Sequence, residues 1–183
     1  MANHPQRLYP DTDVVDYSPN VSSRNGQKIR LIVLHATAGH NYKGTVDLKN
    51  LGSWFSNRSA QVSSHVATDN EGNSARYVRD KDKAWHCASY NGASLGIEQV
   101  MPGDGTEITE HMYRETARWI AWWNKKHKVP IRRARVAGGY VLRSGIATHS
   151  QLGASGGNHD DPGPRYDVDH VLRLARYYRK YMN

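Results

Sequence analysis

The sequence predicts an α/β protein: a single domain with a mixed β-sheet flanked by α-helices on both faces. Three observations carry this reading. Leu31-Ile32-Val33-Leu34 is a continuous apolar run, the mark of a strand buried on both faces. Residues 109–127 carry apolar side chains at helical spacing. Strand and helix signals alternate irregularly along the 183 residues, a length that suits one domain.

Taken in order, residues 1–28 are polar and hold the turn formers Pro5, Pro10, Pro19 and Asn25-Gly26. They read as an irregular lead-in wrapped on a domain of residues 29–183. The first strand is Leu31–His35, with Ile29 and Arg30 leading into it. Residues 36–44 form a loop. Thr45 caps a helix through Asn57 whose apolar side is Val46, Leu48, Leu51, Trp54 and Phe55. His65–Asp69 and Ala75–Arg79 read as strands around the turn Asp69-Asn70-Glu71-Gly72. Leu95–Met101 is a further strand, closed by Pro102-Gly103.

Thr109–His127 is the clearest helix. Met112, Thr116, Trp119, Ile120 and Trp123 recur every three or four residues, and Pro130 lies beyond its end. Val136–Thr148 includes a strand running into His149. Residues 150–165 must be loop, because Gly153, Gly156, Gly157, Pro162, Gly163 and Pro164 interrupt them. Asp167 caps a last helix with Val168, Val171, Leu172, Ala175 and Tyr178 inside.

The hydrophobic share is 38%, and five Trp and eleven Tyr add large side chains to bury, which excludes a disordered chain. The net charge of +8 favours an anionic partner or matrix. The basic residues gather at Lys125, Lys126, Lys128, Arg132, Arg133 and Arg135, and again at Arg173, Arg176, Arg179 and Lys180. Such runs read equally well as solvated helix ends. Cys87 is the single cysteine, so no internal disulfide forms, which fits synthesis in a reducing compartment. Residues 1–16 lack the apolar core of a signal peptide, and no stretch approaches the roughly 20 apolar residues of a membrane span. Ten histidines point to metal or acid–base chemistry.

Three segments place a metal-capable residue at a strand end or in a Gly/Pro loop: Leu31–Gly39 with His35, Ala147–Ser150 with His149, and His159–Pro164 with Asp161. Catalytic zinc takes three such ligands and keeps a fourth position for water. Two imidazoles and one carboxylate leave net positive charge, which acidifies that water. Read singly, each remains as compatible with a core-edge histidine or a turn-forming aspartate.

Read together and in order, the motifs resemble the N-acetylmuramoyl-L-alanine amidases of the type-2 amidase and peptidoglycan-recognition-protein fold, phage endolysins above all. The matching residues are His35 with Thr37-Ala38-Gly39; Ser63-Ser64-His65 and the turn Asp69–Gly72; and Ala84-Trp85-His86 with Asn91-Gly92. Leu95-Gly96-Ile97-Glu98, Thr148-His149-Ser150 and Asp161-Pro162-Gly163-Pro164 complete the set. The resemblance covers about residues 30–172.

The resemblance implies one Zn2+ held by His35, His149 and Asp161, with Glu98 as general base. Many relatives carry a lysine two residues before the third ligand. Here that residue is His159, whose imidazolium could hold the oxyanion but loses its charge near neutral pH. Some relatives carry a tyrosine where this chain has Ser64. Trp85, His86 and Asn91 fall in the loop bordering the substrate groove, whereas His40 and His65 read as structural. Cys87 lacks the Gly-rich turn of a thiol nucleophile.

The implied substrate is the amide between N-acetylmuramic acid and L-alanine in peptidoglycan. The implied setting is a monomeric phage lysin. It would be made in the host cytoplasm without a signal peptide, act on the wall after membrane permeabilisation, and hold anionic wall polymers through its basic surface. Nucleic acid is not expected as a partner, since it would not explain the ordered histidines. Two alternatives stay open: a recognition domain that binds peptidoglycan without cutting it, and a cytoplasmic amidase that recycles muropeptides.

Overall fold

The computed structural model describes residues 7–39, 44–102 and 105–183. His40 and Gly103, both singled out in the sequence, lie outside the described residues, as do residues 1–6. The central sheet has six strands: β1 (Val14–Val15), β3 (Leu31–Leu34), β4 (Val66–Thr68), β5 (Ser74–Arg76), β7 (Ser94–Gln99) and β10 (Gly145–Thr148), in the spatial order β1-β5-β4-β7-β3-β10. Only β4 and β5 pair antiparallel; every other neighbouring pair is parallel. The sheet is therefore mixed, as expected.

Successive residues of a strand face opposite sides of a sheet, and the core divides accordingly. Ile32, Leu34, Val66, Leu95, Ile97 and Ile146 pack against α2 (Glu110–His127) and α3 (Val168–Tyr181). On the other side, Ala67 and Ala75 pack against Leu48, Leu51 and Phe55 of α1 (Val46–Ser56). Leu31, Val33 and Ala147 meet Tyr90 and Leu152 of two 3-10 segments, Ala88–Ala93 and Ser150–Gly156. Helices thus cover both faces.

The helix ends follow from local chemistry. The Thr109 hydroxyl accepts from the Met112 amide at 3.3 Å, and the Asp167 carboxylate from the His170 amide at 2.8 Å. Every residue assigned to the inner faces of α2 and α3 is buried. In α1 the expectation holds only in part. Thr45 makes no side-chain cap, and Val46 and Trp54 are exposed at 48% and 53%. Leu48, Leu51 and Phe55 form a narrow stripe, and the other two fall off its edges.

Several short elements depart from the sequence reading. The lead-in supplies β1, which pairs with β5 at the sheet edge, and β2 (Val21–Ser23), which pairs antiparallel with β6 (Asp82–Ala84). Arg24, also in the lead-in, is buried and donates to the carbonyls of Asp80, Gly92 and Ser94. Residues 135–143 form the hairpin β8 (Arg135–Ala137) and β9 (Tyr140–Arg143), and part of the presumed loop 150–165 is 3-10 helical. These strands have two to four residues each, too short for periodicity to reveal; β1, β2 and β6 are held by long-range pairing, β8 and β9 by each other.

Candidate active site

The register of three parallel neighbours builds the site. Ile97, Leu34 and Thr148 lie level across β7, β3 and β10. The next residue on each strand is Glu98, His35 and His149, and all three turn to the face away from α2 and α3. The ladder persists through them: the His35 amide donates to Ile97 O at 2.9 Å, and the His149 amide to Leu34 O at 3.0 Å. They open into a cavity of about 640 Å³ at the carboxyl ends of the strands, where open α/β sheets bind ligands.

Asp161 joins them from the loop after the 3-10 segment. Its carbonyl accepts from the Ser150 amide at 3.0 Å, and its Oδ2 from the Ala36 amide at 3.1 Å, so it is tied to the chain beyond both histidine strands. Asp161 Oδ1 lies 2.9 Å from His149 Nδ1, and Oδ2 lies 3.4 Å from His35 Nδ1. The two Nδ1 atoms are 3.0 Å apart. Ligands around a tetrahedral zinc with bonds of about 2.0–2.1 Å stand roughly 3.3 Å apart. The three donors therefore already sit at close to metal-binding separation, and among the described residues they are the group of His, Asp, Glu and Cys side chains that could hold a metal. His149 Nε2 lies 2.9 Å from Gly156 O, an acceptor that requires the ring proton there and leaves Nδ1 with a lone pair. The donor set fits a divalent ion such as zinc.

The electrostatics agree. Burial pushes the His35 pKa down to about 4, a fall that the neighbouring Asp161 carboxylate only partly offsets, so the ring is neutral at pH 7 as a ligand must be. Burial also acts to raise Asp161, but the adjoining rings of His149 and His35 overcome it and hold the carboxylate well below its usual range. Among the described residues Glu98 has no such partner. Burial, with the nearby charge of Asp161, pushes its carboxyl up to about 8. The two carboxyl groups are thus pulled in opposite directions, which separates a ligand from an acid–base group.

The remaining sequence candidates line the same cavity. His159 is exposed and stacks on His149, with ring centroids 4.3 Å apart and planes at 16°. Trp85 donates its indole N–H to Ser22 Oγ at 2.9 Å, which holds the ring as a wall. Asn91 Oδ1 accepts from the amides of His86 and Cys87 at 2.9 and 2.7 Å, so its carbonyl braces the loop. His86 Nδ1 lies 2.8 Å from His35 Nε2. His65 is fully buried and receives the Gly96 amide on Nδ1 at 3.0 Å, a structural placement. Ser64 is buried, its hydroxyl has no hydrogen-bond partner among the described residues, and it is not part of the cavity lining. Cys87 is buried and its thiol is pushed up to about 12 by burial, so no thiolate forms near neutral pH.

Trp54, like Val46, departs from the helical pattern of α1. It was placed on the inner side of α1, yet it is half exposed and forms part of the cavity wall beside Leu51 and Phe55. A large aromatic just off a helix's buried stripe is the only trace of this in the sequence.

The model of the N-acetylmuramoyl-L-alanine amidase family matches residues 25–164, more than three quarters of the chain. A curated relative, N-acetylmuramoyl-L-alanine amidase A of Achromobacter lyticus, is 34% identical over 82 residues, which make up 44% of this chain and 42% of that protein. The match thus spans less than half the length of that relative. Among solved structures, the Staphylococcus aureus hydrolase AmiA in complex with its ligand superposes with a TM-score of 0.70 at 20% identity, over 93% of this chain and 84% of that one. The AmpD structure gives 0.66 at 18% identity, over 91% and 96%. Peptidoglycan recognition protein-LE in complex with tracheal cytotoxin gives 0.59 at 16% identity, over 80% and 81%. At these identities the structures establish a shared fold.

Proposed function

Because the chain belongs to the N-acetylmuramoyl-L-alanine amidase family, we propose that it hydrolyses the amide between the lactyl group of N-acetylmuramic acid and L-alanine in peptidoglycan. One zinc ion would be held by His35, His149 and Asp161. The observation that carries this reading is the level row Glu98–His35–His149 closed by Asp161, with the facing atoms of His35, His149 and Asp161 no more than 3.4 Å apart.

When bound, zinc supplies Lewis acidity that acidifies a water and polarises a carbonyl. Glu98 takes a proton from the attacking water and delivers it to the departing nitrogen of L-alanine. Burial holds the Glu98 carboxyl above its ordinary value in the metal-free protein, and a bound dication would draw that value back down towards neutrality. His159, at the rim on His149, donates to the developing oxyanion. Trp54 and Trp85, both in the cavity wall, offer flat apolar surfaces on which sugar or peptide can rest.

We place the action of this enzyme on the intact wall, as for an endolysin made in the host cytoplasm and released to the wall. The net charge of +8 supports this, since it favours retention on anionic wall polymers. Digestion of purified peptidoglycan should release free N-terminal L-alanine. Reducing sugars in place of it would refute the amidase reading. Equal turnover of soluble muropeptides and intact wall would refute the lysin role alone.

A further inference from the structure

We propose that His86 and Ser94 form a positioning relay that fixes the tautomer of His35, so that Nδ1 presents a lone pair to the metal. The proposal rests on the zinc reading above. Ser94 is fully buried and its hydroxyl has one hydrogen, which it donates to Tyr90 O at 2.9 Å. Towards His86 Nε2, 3.0 Å away, it can then only accept. His86 therefore carries its proton on Nε2, and its Nδ1 is an acceptor. That Nδ1 lies 2.8 Å from His35 Nε2, which must be the protonated nitrogen of His35. His35 Nδ1 is left with a lone pair beside His149 Nδ1 and Asp161.

The direction of this chain is set at its far end. Tyr90 O is a backbone carbonyl and cannot donate, and Gly156 O fixes His149 from the other side in the same way. Three acceptors, two ring nitrogens and a carboxylate, then converge with no hydrogen between them, and a cation satisfies all three. The neighbouring residues hold the relay in place. Asn91 Oδ1 clasps the amides of His86 and Cys87. A Cβ on Gly96 would stand 2.8 Å from His86 Nδ1, the acceptor atom itself, so glycine there makes room for the ring. His86 is thus assigned to holding a ligand rather than to touching substrate.

The experiment compares wild type with His86→Ala, His86→Asn and Ser94→Ala by competitive zinc titration and by long-range 15N–1H NMR of the histidines in the zinc-free protein. In wild type, His35 should be protonated on Nε2. His86→Ala and Ser94→Ala should mix its tautomers and weaken zinc binding about 10- to 100-fold. His86→Asn keeps a carbonyl oxygen near the Nδ1 position and should restore affinity to within about threefold of wild type. If His86→Ala does not fold, Ser94→Ala decides by the same two readings. Unchanged affinity, an unchanged His35 tautomer in the variants, or a proton on Nδ1 of wild-type His35 would overturn the relay. Wild-type zinc uptake and L-alanine release test the underlying function separately, so failure of the relay and failure of the amidase reading give different results.

Discussion

The Nδ1 atoms of His35 and His149 stand 3.0 Å apart although 114 residues separate them in the chain. Parallel register between β3 and β10 creates that approach, and Asp161 closes the third side. Each chain should therefore bind one zinc ion. Zinc at 100 times its Kd should add about 2.7 kcal/mol of stability, a rise of about 5–10 °C in Tm for a domain of this size. Scanning fluorimetry with zinc and with chelator measures the shift, and in His149→Ala it should vanish. A zinc-dependent shift that survives in His149→Ala would place the ion elsewhere.

Glu98→Gln should lower kcat at least about 100-fold and leave zinc content unchanged. The same variant tests the elevated acidity constant. In the folded, metal-free protein Glu98 holds its proton up to about pH 8, whereas the unfolded chain releases it near an ordinary 4.5. Glu98 thus contributes stability that is fully present below the lower value and lost as pH rises through the higher one. Urea unfolding of metal-free protein at pH 5 and pH 9 should show this decline in wild type and a shallower one in Glu98→Gln. Equal slopes in the two proteins would mean that burial does not hold the proton.

Trp54→Ala should raise KM for peptidoglycan about 5- to 20-fold, the range of one lost aromatic contact of roughly 1–2 kcal/mol, with kcat changed less than about threefold. Trp54 is half exposed, so the thermal unfolding of this variant should stay near that of wild type. A fall in kcat with constant KM would give the ring a part in the chemistry instead.

Asp80 lies outside the site and is the chain's acid-sensitive clamp. It is 4% exposed and accepts from Lys126 Nζ at 2.9 Å and His127 Nε2 at 2.7 Å, with Arg76 as a third partner. Burial alone would raise its pKa; the bond to His127 and the charges of Arg76 and Lys126 overcome that and hold it well below the usual range. Its contribution is present above the unfolded carboxylate value and lost as pH falls through the depressed folded one. Asp80→Asn should cost about 1–3 kcal/mol in urea unfolding at pH 7, because it removes the charge of a buried acceptor whose cationic partners are themselves partly exposed to solvent. The gap from wild type should narrow in strong acid; a gap independent of pH would show that packing rather than charge is lost.

The long elements were legible because their signal is local. Four apolar residues in a row at Leu31–Leu34, or apolar side chains every three or four residues in α2 and α3, state their burial without reference to the rest of the chain. Thr109 and Asp167 likewise cap through amides three residues away. The short strands β1, β2 and β6 have no such signal, since their partners lie about 60 residues along the chain. The outward turn of Trp54 was hidden because helical spacing gives a stripe but not its width.

The candidate site divides along the same line. The chain's order of residues supplies the chemical types, His35, Glu98, His149 and Asp161 in their motifs, and the order of those motifs resembles that of a family. It could not say that these residues meet. Adjacency is a property of strand register: β7, β3 and β10 bring Glu98, His35 and His149 level, and the loop bonds of Asp161 swing its carboxylate against both rings. The separation of acidity constants also came only with the tertiary structure. The same side chain is an ordinary acid in water, and it changes only when folding removes its water and sets its neighbours, as at Glu98 and Asp161.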